Sequence, residues 1–334
     1  MTARSRRSAV AVALVIACGL TGSAYLKFGS EQGAVLHWGR QPARYYISDR
    51  SVPGVTASDL DAAVARALAT WHGVASAAIS FERVGFTSSA PFEPDGVSVI
   101  GFDRRPDLER TLGATSFTYD MRTGELIEAD IFLNSTFDWS VAAAGEAGRF
   151  DVQSIALHEI GHFIGLGHSA LGETELRAGG GRRVIGAEAA MFPIAFSAGT
   201  TLGRTLRADD IAGVSDIYPA PGFRDDTGSV SGRVIKNGQG VYGAHVVAFS
   251  LTSGVLVGGF SFSHDGAFAI AGLPPGPAVL RAEPLDDGDP ESFVSPSTDV
   301  DIDFQVGYAE RTVVVSQGGT VSGVVIHVTP KQGK

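Results

Sequence analysis

Four side chains within eleven residues have the types and spacing that metal-dependent hydrolysis requires. They lie in the segment HEIGHFIGLGH, residues 158–168. Histidines four residues apart share one face of a helix, with Cβ atoms roughly 5–6 Å apart, so His158 and His162 can bind one ion. Gly165 allows the helix to end and the chain to turn back, so that His168 can supply a third nitrogen. Three histidines leave the fourth position of a zinc ion free for water or a peptide carbonyl.

Glu159 directly follows the predicted ligand His158, so its side chain cannot point in the same direction as that of His158. It still lies close enough to a water in the open zinc position to act as a general base. Zinc polarises a carbonyl and lowers the pKa of a bound water from 15.7 to about 7. Each of these histidines alone would be read as an ordinary polar residue, but their joint spacing with Glu159 favours a catalytic zinc site. The segment therefore predicts hydrolysis in which Glu159 activates the zinc-bound water.

The same segment, followed by Ser169, resembles the zinc motif of the metzincins and, within them, of the matrixins (peptidase M10 type). Ala190-Met191-Phe192-Pro193 is similar to the Met-turn of that clan. The resemblance implies that Met191 is a structural residue that forms the floor of the site. Residues 206–218 resemble the last helix of matrixin catalytic domains, in which the paired acids Asp209 and Asp210 buttress the Met-turn. A solvated helix start is the alternative for these two acids.

The elements upstream of the motif are predicted from periodicity. Ser58 to Val74 reads as an amphipathic helix, because Leu60, Val64, Leu68 and Trp71 recur at helical spacing and Thr56 or Ser58 can cap its start. Strands are predicted at residues 45–47, 79–81, 97–102, 112–117 and 130–134. In matrixins the strand equivalent to residues 112–117 is an edge strand that pairs with an extended substrate, which implies the same role here.

Three departures from the animal matrixin pattern limit what the resemblance implies. No histidine occurs between residues 73 and 157, so we expect one zinc ion and no second, structural zinc. Residues 120–125 lack the spacing of a calcium loop and are read as a polar hairpin turn, with Ca²⁺ left open as an alternative. The connection from His168 to Met191 is long and contains Gly179-Gly180-Gly181, which predicts a mobile loop that shapes the pocket.

Composition and the N-terminus indicate an exported protein. The chain has 334 residues, with 44% hydrophobic residues and a net charge of −10, which disfavours nucleic-acid binding. Arginines precede the apolar run from Ala9 to Ala17, so residues 1–24 are predicted to be a signal peptide. In an alternative interpretation Cys18 is lipidated and anchors the protein to a bacterial membrane. We expect no transmembrane span after signal removal, no internal disulfide, and a monomer.

A second domain is expected after a polar linker at residues 220–229. Strand-like segments separated by Asn237-Gly238 and Asp265-Gly266 turns predict an all-β region from residue 230 to residue 334. Residues 265–276 resemble the carboxypeptidase regulatory-like (transthyretin-like) β-sandwich, a family of accessory or adhesion modules. The histidines of this region are expected to be exposed strand or turn residues without ligand spacing. They are His245, His264 and His327.

The predicted fold class is α+β. A metzincin-type catalytic domain at residues 25–219, with a twisted mixed sheet, long helices and a zinc cleft, precedes the C-terminal all-β sandwich. The predicted function is an exported zinc metalloendopeptidase that hydrolyses a protein or peptide bound as an extended strand. The alternative is a catalytically silent metzincin-fold protein that binds or adheres through its β-sandwich. We also expect the catalytic part to fold when the chain is cut after Tyr218.

Overall fold

The computed structural model describes residues 10–14, 26–30, 32–178, 181–288, 290–294 and 298–331. The predicted signal peptide, apart from the backbone of residues 10–14, lies outside these ranges, and so does the alternative lipidation site Cys18. Among the described residues, no helix combines the length and the apolar character needed to cross a bilayer.

The first half of the chain contains a mixed sheet of six described strands. Its order is β1-β5-β6-β4-β2-β3, and β1, β5 and β6 pair antiparallel while the others pair parallel. The strands are β1 (Val10–Leu14), β2 (Ala43–Ser48), β3 (Phe81–Thr87), β4 (Val99–Asp103), β5 (Gly113–Asp120) and β6 (Leu126–Asn134). The predicted strands are confirmed, with the difference that β3 only begins at Phe81.

The prediction that β5 is an edge strand is wrong for the full chain. The backbone of Val10–Leu14 pairs with it, with Leu14 opposite Ser116 and Val10 opposite Asp120. An open edge presents unpaired N–H and C=O groups, which an extended segment readily satisfies. Because β1 belongs to the predicted signal peptide, removal of residues 1–24 would expose this edge.

Helix α1 (Ala57–His72) packs on the inner face of the sheet as its sequence period predicts. Thr56 caps it: its side chain accepts from Asp59 N, and the Asp59 carboxylate accepts from Thr56 N in return. The four apolar residues named above are all buried. Trp71 also donates its indole N–H to Leu157 O at 2.9 Å, which ties α1 to the next helix.

Helix α2 (Val152–Phe163) follows two short parallel strands, β7 (Trp139–Ser140) and β8 (Phe150–Asp151). Asp151 caps its start by accepting from Ser154 N at 2.9 Å and is paired with Arg204 at 2.6 Å. Gly165 has a φ of +97°, and a Cβ at this position would clash with Leu36 O. The prediction that Gly165 permits the turn after the helix is confirmed.

The connection from His168 to Met191 is a hairpin rather than a simple loop. It consists of β9 (Gly172–Leu176) and β10 (Arg182–Ala187), which pair antiparallel. The glycine-rich sequence favoured a loop, yet the flanking Thr, Val and Ile residues supply strand character. A 3₁₀ turn (Leu202–Arg204) and helix α3 (Ala208–Ile217) complete the first half.

The predicted linker contains a short helix, α4 (Phe223–Asp226), and the rest of the described chain forms two sheets and a 3₁₀ turn (Pro290–Ser292). One sheet contains β11 (Gly228–Lys236), β12 (Gln239–Gly240), β15 (Ala267–Leu273) and β19 (Thr320–Val328). The other contains β13 (His245–Ser250), β14 (Leu256–Phe260), β16 (Gly276–Glu283), β17 (Gly307–Tyr308) and β18 (Val313–Val315). This C-terminal β region is predominantly strand as predicted, and its assignment to the transthyretin-like sandwich stays a prediction.

One hydrophobic cluster runs through both halves of the chain. The buried Asp209 of α3 accepts a hydrogen bond from Gly258 N of β14 at 2.7 Å, and a Cβ on Gly272 would lie 2.9 Å from Ala212. A chain cut after Tyr218 would lose these contacts. The expectation that the catalytic part folds alone is untested, and the shared core argues against it.

Candidate metal centre

The three histidines of the motif converge at the C-terminal end of α2. His158 and His162 project from the helix, and His168 returns from the turn after Gly165, so that the candidate ligand nitrogens of all three lie within 4.8 Å of one another. Among the described residues, this is the group of His, Cys, Asp and Glu side chains that could hold a metal ion. His162 is buried, while His158 and His168 are partly exposed to the cleft.

The hydrogen bonds of the three rings fix which nitrogen is free. Each Nδ1 lies against a backbone carbonyl oxygen: Ala190 O for His158 at 2.8 Å, Leu166 O for His162 at 2.8 Å, and Ser292 O for His168 at 2.6 Å. A carbonyl can only accept, so each Nδ1 carries a proton. The Nε2 atoms therefore carry the lone pairs.

The rings are neutral as well as oriented. Burial lowers the pKa of His158. Burial and the two neighbouring histidines lower the pKa of His162 well below its usual value, and burial and the proximity of His158 lower the pKa of His168 to about 3. Two neutral rings then face each other with His162 Nε2 only 3.2 Å from His168 Nε2. Two lone pairs at this distance repel unless a cation lies between them. Nitrogens that share a tetrahedral ion at about 2.0–2.1 Å are about 3.3 Å apart, so the donor set fits zinc.

Glu159 is buried beside the histidines, on the side of β5. Its Oε2 accepts from the Thr115 hydroxyl at 2.9 Å, and a Cβ on Gly113 would lie 2.9 Å from its Oε1. Burial raises the pKa of Glu159 to about 8, although the Thr115 hydrogen bond lowers it. A cation held by the three histidines would favour the charged carboxylate and so lower this pKa.

Met191 lies against α2, the helix that carries His158 and His162. A Cβ on Gly161 of α2 would clash with its sulfur, so the two are in direct contact. The Asp210 carboxylate accepts from Ala190 N at 2.8 Å and from Met191 N at 3.1 Å. Ala190 O in turn holds His158, so Asp210 supports the orientation of His158 through one peptide unit. The structural role predicted for Asp209 and Asp210 fits their burial, and a solvated helix start does not.

A cleft of about 540 Å³ opens in front of the histidines. Its lining includes Gly113 and Ala114 of β5, Glu159, Phe192 after Met191, and Ser292 of the C-terminal β region. The cleft therefore lies between β5 and the segment that follows Met191. It is large enough to receive a side chain of a peptide substrate.

The profile of the matrixin family (Peptidase_M10) matches residues 37–176, which include α1, the sheet strands β2 to β6 and all three histidines. The chain carries a matrixin-like metzincin catalytic domain. The metalloendoproteinase 1-MMP of Arabidopsis thaliana is 29% identical to this chain over 209 residues, which cover 60% of the chain and 50% of that protein. The chain thus spans half the length of this relative.

Solved structures add little to this picture. The minor pilin GBS52 of Streptococcus agalactiae is 17% identical, covers 33% of this chain and 47% of its own, and has a TM-score of 0.23. The TIE protein of Bacillus anthracis is 14% identical, covers 31% of this chain and 17% of its own, and has a TM-score of 0.20. Likenesses of this size do not define the fold of the part of the chain that they cover.

The contacts of several residues around the matrixin-like site could not be predicted from the sequence. Thr115 was placed on a predicted strand, but nothing indicated its bond to Glu159. Ser292 contributes a backbone carbonyl, which any residue could supply. The prediction that His245 is exposed is wrong: it is 1% exposed, because β13 lies between β14 and β16, and its Nδ1 pairs with Glu283 Oε1 at 2.9 Å.

The hairpin at residues 120–125 is a turn, as predicted. Asp120 Oδ1 accepts from Arg122 N at 2.8 Å and from Thr123 N at 3.0 Å, and Gly124 has a φ of +72°. One oxygen of the carboxylate is thus engaged by the turn itself. A calcium requirement stays an open prediction.

Proposed function

We propose that this protein is an exported zinc-dependent metalloendopeptidase. The observation that carries the proposal is the set of three Nε2 lone pairs that face one another beside the buried carboxylate of Glu159 in an open cleft. His158, His162 and His168 would hold the ion, with Met191 as the structural floor beneath them. When bound, zinc would polarise the scissile carbonyl and acidify the attacking water.

Glu159 would act as the general base. Its carboxylate would take a proton from the attacking water while the water oxygen bonds to the carbonyl carbon of the substrate. The same proton would pass to the amine nitrogen as the C–N bond breaks, which leaves one new carboxyl and one new amino terminus. The Thr115 hydroxyl holds Glu159 Oε2, so the other oxygen, Oε1, is left to face the cleft beside Gly113.

The substrate would bind as an extended strand along the outer edge of β5. The pairing of Val10–Leu14 with this edge supports the proposal, because it shows that the edge accepts an antiparallel strand. Among the described residues, Val10–Leu14 pairs with Ser116 to Asp120, and Gly113, Ala114 and Thr115 continue the same strand towards Glu159. Release of residues 1–24 on export would free this edge for a substrate.

Export itself is proposed from the sequence of residues 1–24, with lipidation of Cys18 as the alternative. The N-terminal residue of the mature protein distinguishes them. Mass spectrometry of the exported chain would show either an unmodified terminus near Tyr25 or a lipid-modified Cys18. A mature protein that retains Met1 would contradict both.

Cleavage of an unfolded protein such as reduced casein tests the peptidase proposal. The mature chain is compared with Glu159→Gln, which keeps the size of the side chain but cannot accept the proton, and with Glu310→Gln as a matched control at an exposed site. We expect cleavage by the mature chain and by the control, and none by Glu159→Gln. Equal cleavage by all three would contradict the role of Glu159, and no cleavage by any of them would favour the silent binding protein.

A further inference from the structure

One of the three histidines is held by a distant part of the chain. The carbonyls that orient His158 and His162 belong to Ala190 and Leu166, within the same half of the molecule. The carbonyl that orients His168 belongs to Ser292, which is 124 residues further along and follows β16 of the C-terminal β region. The third ligand is therefore oriented by the other half of the protein.

The segment that carries this carbonyl, residues 290–294, is held on one side by packing against strand β14. Phe293 is 5% exposed and packs in a small cluster with Leu26, Ala170 and Phe260. Its ring centroid lies 6.0 Å from that of Phe260 and 6.5 Å from that of His168. The ring thus joins the strand β14 to the ligand itself.

The residues just before this segment are fixed from the opposite side. Thr174 of β9 donates its backbone N–H to Asp287 Oδ1 at 3.0 Å and its hydroxyl to Asp287 O at 2.7 Å. Arg182 of β10 donates to Asp286 O at 2.9 Å. The β9-β10 hairpin, which follows His168 in the chain, thus locks the C-terminal segment against the metal centre.

A second connection runs through Asp209. This buried carboxylate accepts from Gly258 N of β14 at 2.7 Å and also from the Ser169 hydroxyl. Ser169 follows the ligand His168 directly, and its own N–H donates to Met191 O at 2.9 Å. The C-terminal β region is therefore connected through Asp209 to the residue beside the third ligand, in addition to its direct contact with the ligand.

We propose that the C-terminal β region helps to form the metal centre. Its residues Ser292 and Phe293 are positioning residues that hold His168 in the orientation required of a ligand. The inference rests on the proposed zinc site, and it gives the accessory region a role beyond adhesion. Loss of an outer partner of a metal-bound histidine typically lowers metal affinity by about 10- to 100-fold. Detachment of residues 290–294 should therefore weaken zinc binding.

The test measures zinc affinity in the full chain with Glu159→Gln as the parent, so that self-cleavage does not interfere. Phe293→Ala removes the ring that anchors the segment. Asp287→Ala removes the contact with Thr174 N without opening a cavity in the core. Phe268→Ala is the matched control, because Phe268 is equally buried but belongs to the large core cluster and not to the one that holds Phe293.

Zinc affinity is determined by competition with a chromophoric chelator, and the visible spectrum of the Co²⁺ form reports ligand geometry. We expect Phe293→Ala to weaken zinc binding about 10-fold or more and to alter the Co²⁺ spectrum, Asp287→Ala to weaken binding several-fold, and Phe268→Ala to change neither. Unchanged affinity in both segment variants, or equal loss in Phe268→Ala, would overturn the inference. A parent that binds no zinc would instead overturn the proposed function.

Discussion

Asp210 provides the sharpest prediction of stability, because its carboxylate serves several donors at once. It accepts from Ala190 N at 2.8 Å, from Met191 N at 3.1 Å and from Arg207 N at 2.8 Å. Arg207 is exposed and can turn to water, but the N–H groups of Ala190 and Met191 lie under the histidines. An unsatisfied buried donor costs about 1–3 kcal/mol, so Asp210→Ala should cost roughly 2–6 kcal/mol.

The lower part of that range is expected at neutral pH. Burial, together with the charge of Asp209, raises the pKa of Asp210 to about 7 even though the backbone donors lower it. A fraction of the molecules then carries a neutral acid, which is a weaker acceptor than a carboxylate. We therefore expect a loss of about 2–4 kcal/mol for Asp210→Ala.

Urea unfolding followed by tryptophan fluorescence, in the absence of zinc, measures this loss. Asp225→Ala, at an exposed position, is the control and should cost less than about 0.5 kcal/mol. Because Ala190 O also holds His158, Asp210→Ala should in addition weaken zinc binding about 10-fold. A loss below about 1 kcal/mol with unchanged zinc affinity would show that Asp210 does not organise the Met191 turn.

Three further predictions concern Glu159, Glu283 and the metal. Thr115→Val should lower kcat about 10-fold with little change in KM, because Glu159 loses its hydroxyl donor; equal kcat in steady-state assays would contradict this. Burial raises the pKa of Glu283, but the hydrogen bond and charge of His245 and the Arg281 guanidinium together lower it to about 2. The Glu283 carboxylate therefore stabilises the fold above pH ~4.3, and this stabilisation is lost as the pH falls towards 2. Glu283→Gln should therefore flatten the acid limb of the unfolding free energy, and an unchanged acid limb would refute the pairing. Chelation of zinc should abolish proteolysis while the near-UV circular dichroism is retained; unfolding on chelation would indicate a structural metal instead.

Local pattern was sufficient to predict the elements that carry the site. Leu60, Val64, Leu68 and Trp71 are four or three residues apart, and a helix with such a face must bury it, so α1 was predictable together with its Thr56 cap. His158, Glu159 and His162 are close in sequence, and helical geometry alone decides which two of them share a face. Gly165 was predictable because only a glycine takes its backbone conformation without strain.

Contacts between distant segments were not predictable in the same way. Ser292 contacts His168 through its backbone carbonyl, and because every residue has such a carbonyl, the residue type gives no indication of this contact. The edge of β5 is covered by residues 10–14 because an open strand edge pairs with any extended segment, which no local pattern reveals. His245 reads as a polar strand residue, and its burial follows only from the pairing of β13 with strands on both sides.

Zinc titration of the metal-free mature chain decides whether the three histidines hold a catalytic zinc, because it measures peptide-bond hydrolysis and metal content on the same sample. We expect that cleavage of an unfolded protein rises in proportion to added zinc and saturates at about one zinc per chain, and that His168→Ala neither binds this zinc tightly nor cleaves. Cleavage that persists without zinc, or full zinc-dependent cleavage by His168→Ala, would contradict a catalytic zinc held by the three histidines.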